Sequence, residues 1–106
     1  MDLAKFYVTD MRKKVLGAEH PHTLQSMANL ASTYFDQGNL KEAEQLEVQV
    51  LYMRKKVLGT EHPHTLRSME NLARTYLSQK KFKEAEQLEV QVFDMRKKVL
   101  GAAPSL

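Results

Sequence analysis

The stretch MRKKVLGAEHPHTL at residues 11–24 decides the fold, because almost the same stretch, MRKKVLGTEHPHTL, returns at residues 53–66. Its first seven letters appear a third time at 95–101, so the period is 42 residues. Residues 11–52 and 53–94 differ at only 11 of 42 positions. A period of this size is typical of supersecondary units that stack into a solenoid. The chain therefore contains two full units, preceded by about half a unit.

Each unit carries the start and stop signals of two helices. Pro21 and Pro63 stand where a first helical residue is expected, because the N–H that proline lacks would be unpaired there in any case. Gly17, Gly59 and Gly101 follow the other helices as C-terminal caps, since glycine readily adopts a left-handed conformation. The five helices predicted in this way lie at about 2–16, 21–37, 40–58, 63–79 and 82–100.

The apolar residues of each helix share one side of it. At about 100° per residue, one arc of the first unit contains Leu24, Met27, Leu30, Ala31 and Tyr34, and the arc of the next helix contains Ala43, Leu46, Val50, Met53 and Val57. One apolar stripe per helix and short turns predict antiparallel helix pairs that must stack to cover their core. The predicted fold is an all-α solenoid over residues 1–101, with a tail at 102–106. It consists of a leading helix at 2–16, a first unit of two helices at 21–58 and a second unit at 63–100.

Several of these residues together resemble the tetratricopeptide repeat. The resemblance rests on Leu30-Ala31, Tyr34, Gly38, Ala43 and Val50, and in the second unit on Leu72-Ala73, Tyr76, Ala85 and Val92. The 42-residue length and the closing RKKVLG-x-EHPHT are similar to the variant in kinesin light chains and in fungal and bacterial signalling ATPases. The resemblance implies a non-catalytic scaffold that binds proteins or peptides and carries no cofactor.

Glu47 and Glu89 depart from that resemblance, because the family usually has an apolar or aromatic residue at this position. Our interpretation of Glu47 is a partly exposed side chain whose stem packs while its carboxylate reaches water. The alternative is an ion pair of Glu47 with Arg54 or with Arg12, which a buried carboxylate would need.

The differences between the two units gather on one side of the first helix of each unit. The five differing positions in that helix fall within an arc about 100° wide, beside the apolar arc. The resemblance implies that this face lines a concave, peptide-binding groove, in which Asn29 and Asn71 hold peptide backbone. The alternative is neutral drift on one exposed stripe, with Asn29 and Asn71 holding neighbouring helices. Copy two offers Arg67 and Arg74, which predicts an acidic segment in the partner. The predicted partner-binding residues are Gln25, Ala28, Asn29, Ser32, Phe35, Asp36, Arg67, Glu70, Asn71, Arg74, Leu77 and Ser78.

Other classes of function have weaker support. The chain has no Cys, and the His-Pro-His triplets lack the further ligands of a typical metal site, so we interpret them as helix caps. Nine of the 16 basic residues lie in three RKK runs with no interleaved aromatic residue, so we interpret them as helix-end charges on a solvated face rather than a nucleic-acid surface. No catalytic motif, membrane span or signal peptide is recognisable, and we expect a cytoplasmic, non-enzymatic protein.

Self-association is the alternative function. The first helix shows Leu3, Phe6 and Val15, and the last shows Leu88, Val92 and Val99. We expect these apolar faces to lie uncovered at the two ends of the array. Near-identical units could also exchange helices between chains, because a helix from another copy fits as well as the chain's own.

Overall fold

The computed structural model describes residues 3–101. It contains five α-helices, α1 (Leu3–Leu16), α2 (Pro21–Asp36), α3 (Leu40–Leu58), α4 (Pro63–Ser78) and α5 (Phe82–Gly101). The predicted all-α fold is confirmed, and each described helix end lies within one residue of its prediction. Asp2 and the predicted tail at 102–106 lie outside the described residues.

Histidine caps begin the first helix of each unit. His20 has extended backbone angles, and its Nδ1 accepts a hydrogen bond of 3.1 Å from the N–H of His22. His62 and His64 repeat this arrangement at 3.0 Å. The cap satisfies one of the N–H groups that a helix leaves unpaired at its start. The predicted role of the His-Pro-His triplets in helix capping is therefore confirmed.

Glycine ends two of the three helices that carry the MRKKVLG stretch. Gly17 has φ 93° and Gly59 has φ 90°, and in each case the N–H of the histidine three residues later bonds to the glycine carbonyl at 3.4 Å. Gly101 instead lies within α5, so the predicted cap at Gly101 is wrong. The sequence after Gly101 lacks the Glu-His-Pro segment that completes the turn in the two other copies.

The turn inside each unit needs one residue with a left-handed backbone. Gly38 has φ 79° in the first unit, and Lys80 has φ 64° at the same place in the second. Both turns close with a bond of 2.8 Å, from the N–H of the following residue to the carbonyl of the tyrosine, Tyr34 or Tyr76. Lys80-Lys81 is a weak turn signal by itself, so the second turn forms at the expense of backbone strain at Lys80.

Lys80→Gly is therefore expected to stabilise the protein by about 1 kcal/mol, because glycine adopts a positive φ without steric cost. The matched change is Gly38→Ala, which we expect to destabilise by a similar amount. A Cβ at Gly38 would meet nothing within 4 Å, so the backbone alone decides that cost. Urea denaturation followed by circular dichroism measures both changes. If Lys80→Gly had the same free energy of unfolding as the original protein, the strain at Lys80 would be contradicted.

Consecutive helices pack against each other in chain order, and the array measures 47 × 33 × 21 Å. Two clusters form the core. Leu24, Met27 and Val50 form one, and Leu51, Leu66, Met69, Leu72, Ala73, Leu88 and Val92 form the other. Leu51 belongs to α3 yet packs into the second cluster, and this contact stacks one unit on the next. No helix within residues 3–101 is long and apolar enough to cross a membrane.

Two predictions about apolar surface are wrong. Val57 is 44% exposed although it shares the predicted arc, because α3 extends at this point beyond the core of its pair. Leu88 and Val92 are buried against α4, so they are no part of an uncovered end face. The first helix agrees better with the prediction, since Leu3 and Val15 are each 72% exposed.

Candidate protein-interaction surface

An arginine joins each unit to the next. The Nη1 of Arg54, at the end of α3, donates to the Oγ of Ser68 at 2.8 Å and to the carbonyl of His64 at 3.4 Å. Arg54 is only 5% exposed, and burial lowers its pKa. We call this contact of arginine, histidine carbonyl and serine the repeat joint. Arg12 on α1 makes the equivalent contacts to the carbonyl of His22 and the Oγ of Ser26 on α2.

The repeat joint corrects the interpretation of the RKK runs as a solvated face. Periodicity places the arginine at a helix end, where a positive charge compensates the dipole, but it does not show which neighbouring unit it meets. Two lysines of these runs also make ion pairs with the loops, Lys56 with Glu19 at 2.6 Å and Lys98 with Glu61 at 2.7 Å. These residues, which are identical in the two copies, therefore serve assembly of the solenoid.

Glu47 is a second contact between the units. It is 5% exposed, and its carboxylate accepts a hydrogen bond from the Oγ1 of Thr75 on α4. Burial raises its pKa to about 7, while the bond from Thr75 and the charge of Arg74 oppose that rise. The interpretation of a partly exposed Glu47 is wrong, and so is the ion pair with Arg54 or Arg12. Glu89 is exposed.

The twelve predicted partner-binding residues all reach the surface. We call this set, on α2 and α4, the variable stripe. None of its members is buried, whereas the apolar arc of the same helices is. The exposed members are Gln25, Asn29, Asp36, Arg67, Glu70, Arg74, Leu77 and Ser78, and the half-buried ones are Ala28, Ser32, Phe35 and Asn71.

One contact joins the two halves of the variable stripe. The guanidinium carbon of Arg74 on α4 lies 4.0 Å from the centre of the Phe35 ring on α2. A cation over an aromatic face is attracted by the ring quadrupole, and a stacked guanidinium keeps its outer N–H groups available. Within the first half, the side-chain amide of Gln25 donates to the Oδ1 of Asn29 at 3.0 Å.

The charges of the second half are not equally available. Glu70 forms a two-point ion pair with Arg96 of α5, at 2.6 and 3.1 Å. The guanidinium of Arg67 has no hydrogen-bond or ion-pair partner within residues 3–101, and its charge helps lower the pKa of Arg54. The Glu70 carboxylate is thus already paired within the chain, whereas the guanidinium of Arg67 is available to a partner.

Glu47, which was not among the predicted partner-binding residues, lies next to the variable stripe. Glu47 lines a small cavity of about 10 Å³ together with Ala28 and Asn71 of the variable stripe. That volume is about the size needed for one water molecule. The only sequence signal for this position was its departure from the usual apolar residue of the family.

Within residues 3–101, neither histidine triplet lies in a group of three or more potential metal ligands. The rings of each triplet lie with centroids 5.1 Å apart. Across the part of the chain that the structure describes, no group of three or more histidine, cysteine or carboxylate residues is placed to hold a metal ion.

Paired helices, joints that repeat along the chain and an exposed stripe that varies between units define the class of α-helical repeat scaffolds. The model of the tetratricopeptide repeat matches residues 23–64 and 65–104, and the chain belongs to that family. Repeats of this family generally bind protein partners, so the chain is a protein-interaction scaffold.

Two solved structures are similar over most of the chain. They are crystal structures, one of them of a single-residue variant, of the nearly identical TPR-like repeats of a protein from Podosopora anserina described as a kinesin light chain. Each has a TM-score of 0.85 and 36% identity, over 90% of this chain and 45% of the other. This chain therefore spans less than half the length of those proteins. A search of curated protein sequences gave no significant match.

Proposed function

We propose that the chain is a non-catalytic, cytoplasmic scaffold that binds an extended peptide segment of a partner. In this proposal the peptide lies along the variable stripe, which is the concave face formed by the first helix of each unit. The observation that carries the proposal is the contrast between the copies. Residues of the repeat joint are identical in both, while the α2 and α4 residues that differ are all exposed or half-buried. A scaffold can vary surface residues that lie outside such joints and so bind different partners.

The two halves of the variable stripe suit different parts of a partner. Asn29 and Asn71 each present an amide that can donate and accept, which suits the backbone of an extended peptide. Gln25 and Ser32 offer further neutral polar groups in the first half. Arg67 and Arg74 make the second half positive, and stacking on Phe35 holds the Arg74 guanidinium in one orientation. An acidic segment beside α4 is the partner chemistry that this arrangement supports.

Reversing the charges with Arg67→Glu and Arg74→Glu is expected to weaken binding of an acidic peptide by at least about tenfold, since like charges across an interface repel. Fluorescence anisotropy measures this with a labelled peptide rich in aspartate and glutamate. A peptide of equal length with asparagine and glutamine instead should bind the protein weakly and show no response to the variants.

Lys55→Glu with Lys97→Glu is the matched control, because both lysines are exposed, lie in the RKK runs and give the same change in net charge. Arg67→Glu alone serves as a second variant that leaves the Phe35–Arg74 contact intact. Circular dichroism establishes that each variant is folded. Equal losses in the control pair and the stripe pair would mean that only net charge matters, and the proposed surface would then be wrong.

Self-association is the second candidate, and exposed apolar side chains at both ends of the array favour it. Leu3 is 72% and Phe6 47% exposed on α1, and Phe93 is 66% exposed on α5. Phe93 lies between Glu89 and Arg96, which are the equivalents in the second unit of Glu47 and Arg54, two residues that contact the next unit. Light scattering over a wide concentration range separates the candidates, because a mass that rises with concentration supports self-association and a constant monomer mass supports the peptide scaffold.

A further inference from the structure

Two differences between the copies that look isolated in the sequence meet in space. Eight of the 11 differences lie on the variable stripe or in the turn inside the unit, and only those at Ala18, Leu51 and Tyr52 remain. Ala18 and Tyr52 both line one cavity, although 34 residues separate them in the chain. The second unit has Thr60 and Asp94 at the same two places.

This cavity, which we call the Tyr52 cavity, has a volume of about 390 Å³ and lies between the end of α1, α2 and α3. The five other lining residues are Lys13, Met27, Val48, Gln49 and Met53. Each of these five has an identical residue 42 positions later. At the lining positions, the second unit therefore differs only in having a carboxylate in place of the Tyr52 ring and the larger, hydroxyl-bearing side chain of threonine in place of Ala18.

The Tyr52 cavity is separate from the variable stripe. Met27 lies five residues before Ser32 on α2, which places the two side chains about 140° apart around the helix axis. The cavity is therefore a second surface, and a ligand there would leave the stripe accessible. Its volume is within the range of about 300–1,000 Å³ that is usual for ligand pockets.

The chemistry of the lining is apolar with one positive charge at the edge. Met27, Val48 and Met53 provide flexible or branched apolar surface, and the Tyr52 ring, 64% exposed, stands beside them. Lys13 is exposed, and its side-chain ammonium has no hydrogen-bond or ion-pair partner in the described part of the chain. Methionine surfaces adapt to the shape of an apolar side chain, and the ammonium of Lys13 complements a carboxylate.

We propose that the Tyr52 cavity binds an aliphatic side chain of a partner peptide that carries a carboxylate on the neighbouring residue. The aliphatic group fills the space between Met27 and Met53. The carboxylate meets Lys13, which fixes the direction of the peptide across the end of α1. The second unit does not offer this site, because Asp94 places a negative charge at its edge and repels the same peptide.

The methionines give a direct readout with its control in the same spectrum. We would label their ε-methyl groups with ¹³C and titrate with a capped tetrapeptide containing leucine followed by aspartate. The signals of Met27 and Met53 are expected to shift saturably, while those of Met69 and Met95, their equivalents in the second unit, stay in place. Replacing the aspartate by asparagine or the leucine by alanine should each weaken binding at least about threefold.

Variants that exchange residues between the copies test the assignment in both directions. Ala18→Thr with Tyr52→Asp installs the residues of the second unit and is expected to weaken binding at least about tenfold. Thr60→Ala with Asp94→Tyr should make Met69 and Met95 respond to the peptide. Lys13→Gln should remove the preference for aspartate over asparagine. Arg67→Glu should leave this titration unchanged, which separates the site from the variable stripe.

The proposal is overturned if Met27 and Met53 show no saturable shift at millimolar peptide, or if all four signals move together. It is also overturned if Ala18→Thr with Tyr52→Asp binds as well as the original protein while folded by circular dichroism. A shift of Met27 and Met53 with protein concentration alone, without peptide, would assign the cavity to a second copy of the chain and would likewise contradict the proposal.

Discussion

Arg54→Ala is expected to lower the free energy of unfolding by about 2–3 kcal/mol, the largest effect of any single change in the repeat joint. The guanidinium donates to the Oγ of Ser68 and the carbonyl of His64, and hydrogen bonds from a charged donor contribute more than neutral ones. Because Arg54 is 5% exposed, alanine also removes the packed stem of the side chain from between the units.

The chain contains two further copies of this arginine as matched controls. Arg12 makes the same two contacts but is only half-buried, so Arg12→Ala should cost less than Arg54→Ala. Arg96 is exposed and pairs with Glu70 instead, so its loss should cost no more than about 1 kcal/mol. Urea denaturation by circular dichroism gives all three values. Equal losses at the three positions would show that the arginines act only on the helix dipole.

The three arginines differ in how far they are buried, and this difference shows what could and could not be predicted from the sequence. Pro21, Gly59 and the apolar spacing act within one helix or one turn, so the helix positions follow from local rules. The repeat joint depends on how one unit is oriented against the next, and periodicity within a helix contains no such information. The predictions for Arg54 and Glu47 were therefore wrong for the same reason. Both side chains are polar, and both are buried by a helix of the following unit rather than by their own unit.

The variable stripe was easier to find because it needs no knowledge of that orientation. Differences between copies at steps of three and four residues share a helix face whatever the helix packs against. The side-chain contacts from one helix to another could not be predicted in the same way. The contact of Phe35 with Arg74 and the ion pair of Glu70 with Arg96 both depend on where the next helix lies.

Glu47 should make the stability of the protein depend on pH. Its pKa rises from the ordinary value of 4.5 to about 7 on folding, chiefly because burial disfavours the charged form. Between these values the folded state binds more protons than the unfolded state, so stability falls as the pH rises. The contribution is fully present below pH 4.5 and is lost as the pH rises through about 7. At about 1.36 kcal/mol per pH unit, the loss is about 3 kcal/mol.

Glu47→Gln isolates this effect. The glutamine carbonyl can still accept the hydrogen bond from Thr75, but the side chain carries no charge at any pH. We expect the variant to match the original protein near pH 4.5 and to be more stable by about 2–3 kcal/mol at about pH 8. Thermal and urea denaturation across this range measure the difference. Subtracting the two curves also removes the contributions of all other ionisable groups, which both proteins share.

Two further variants show whether the position, rather than the residue type, causes the dependence. Glu89→Gln changes the same residue in an exposed place on α5 and should leave the pH profile unchanged. Thr75→Val removes the hydrogen bond that lowers the pKa of Glu47, so the loss of stability should extend to higher pH. If Glu47→Gln and Glu89→Gln behave alike, the carboxylate of Glu47 is solvated in solution, and the burial of this side chain between α3 and α4 is wrong.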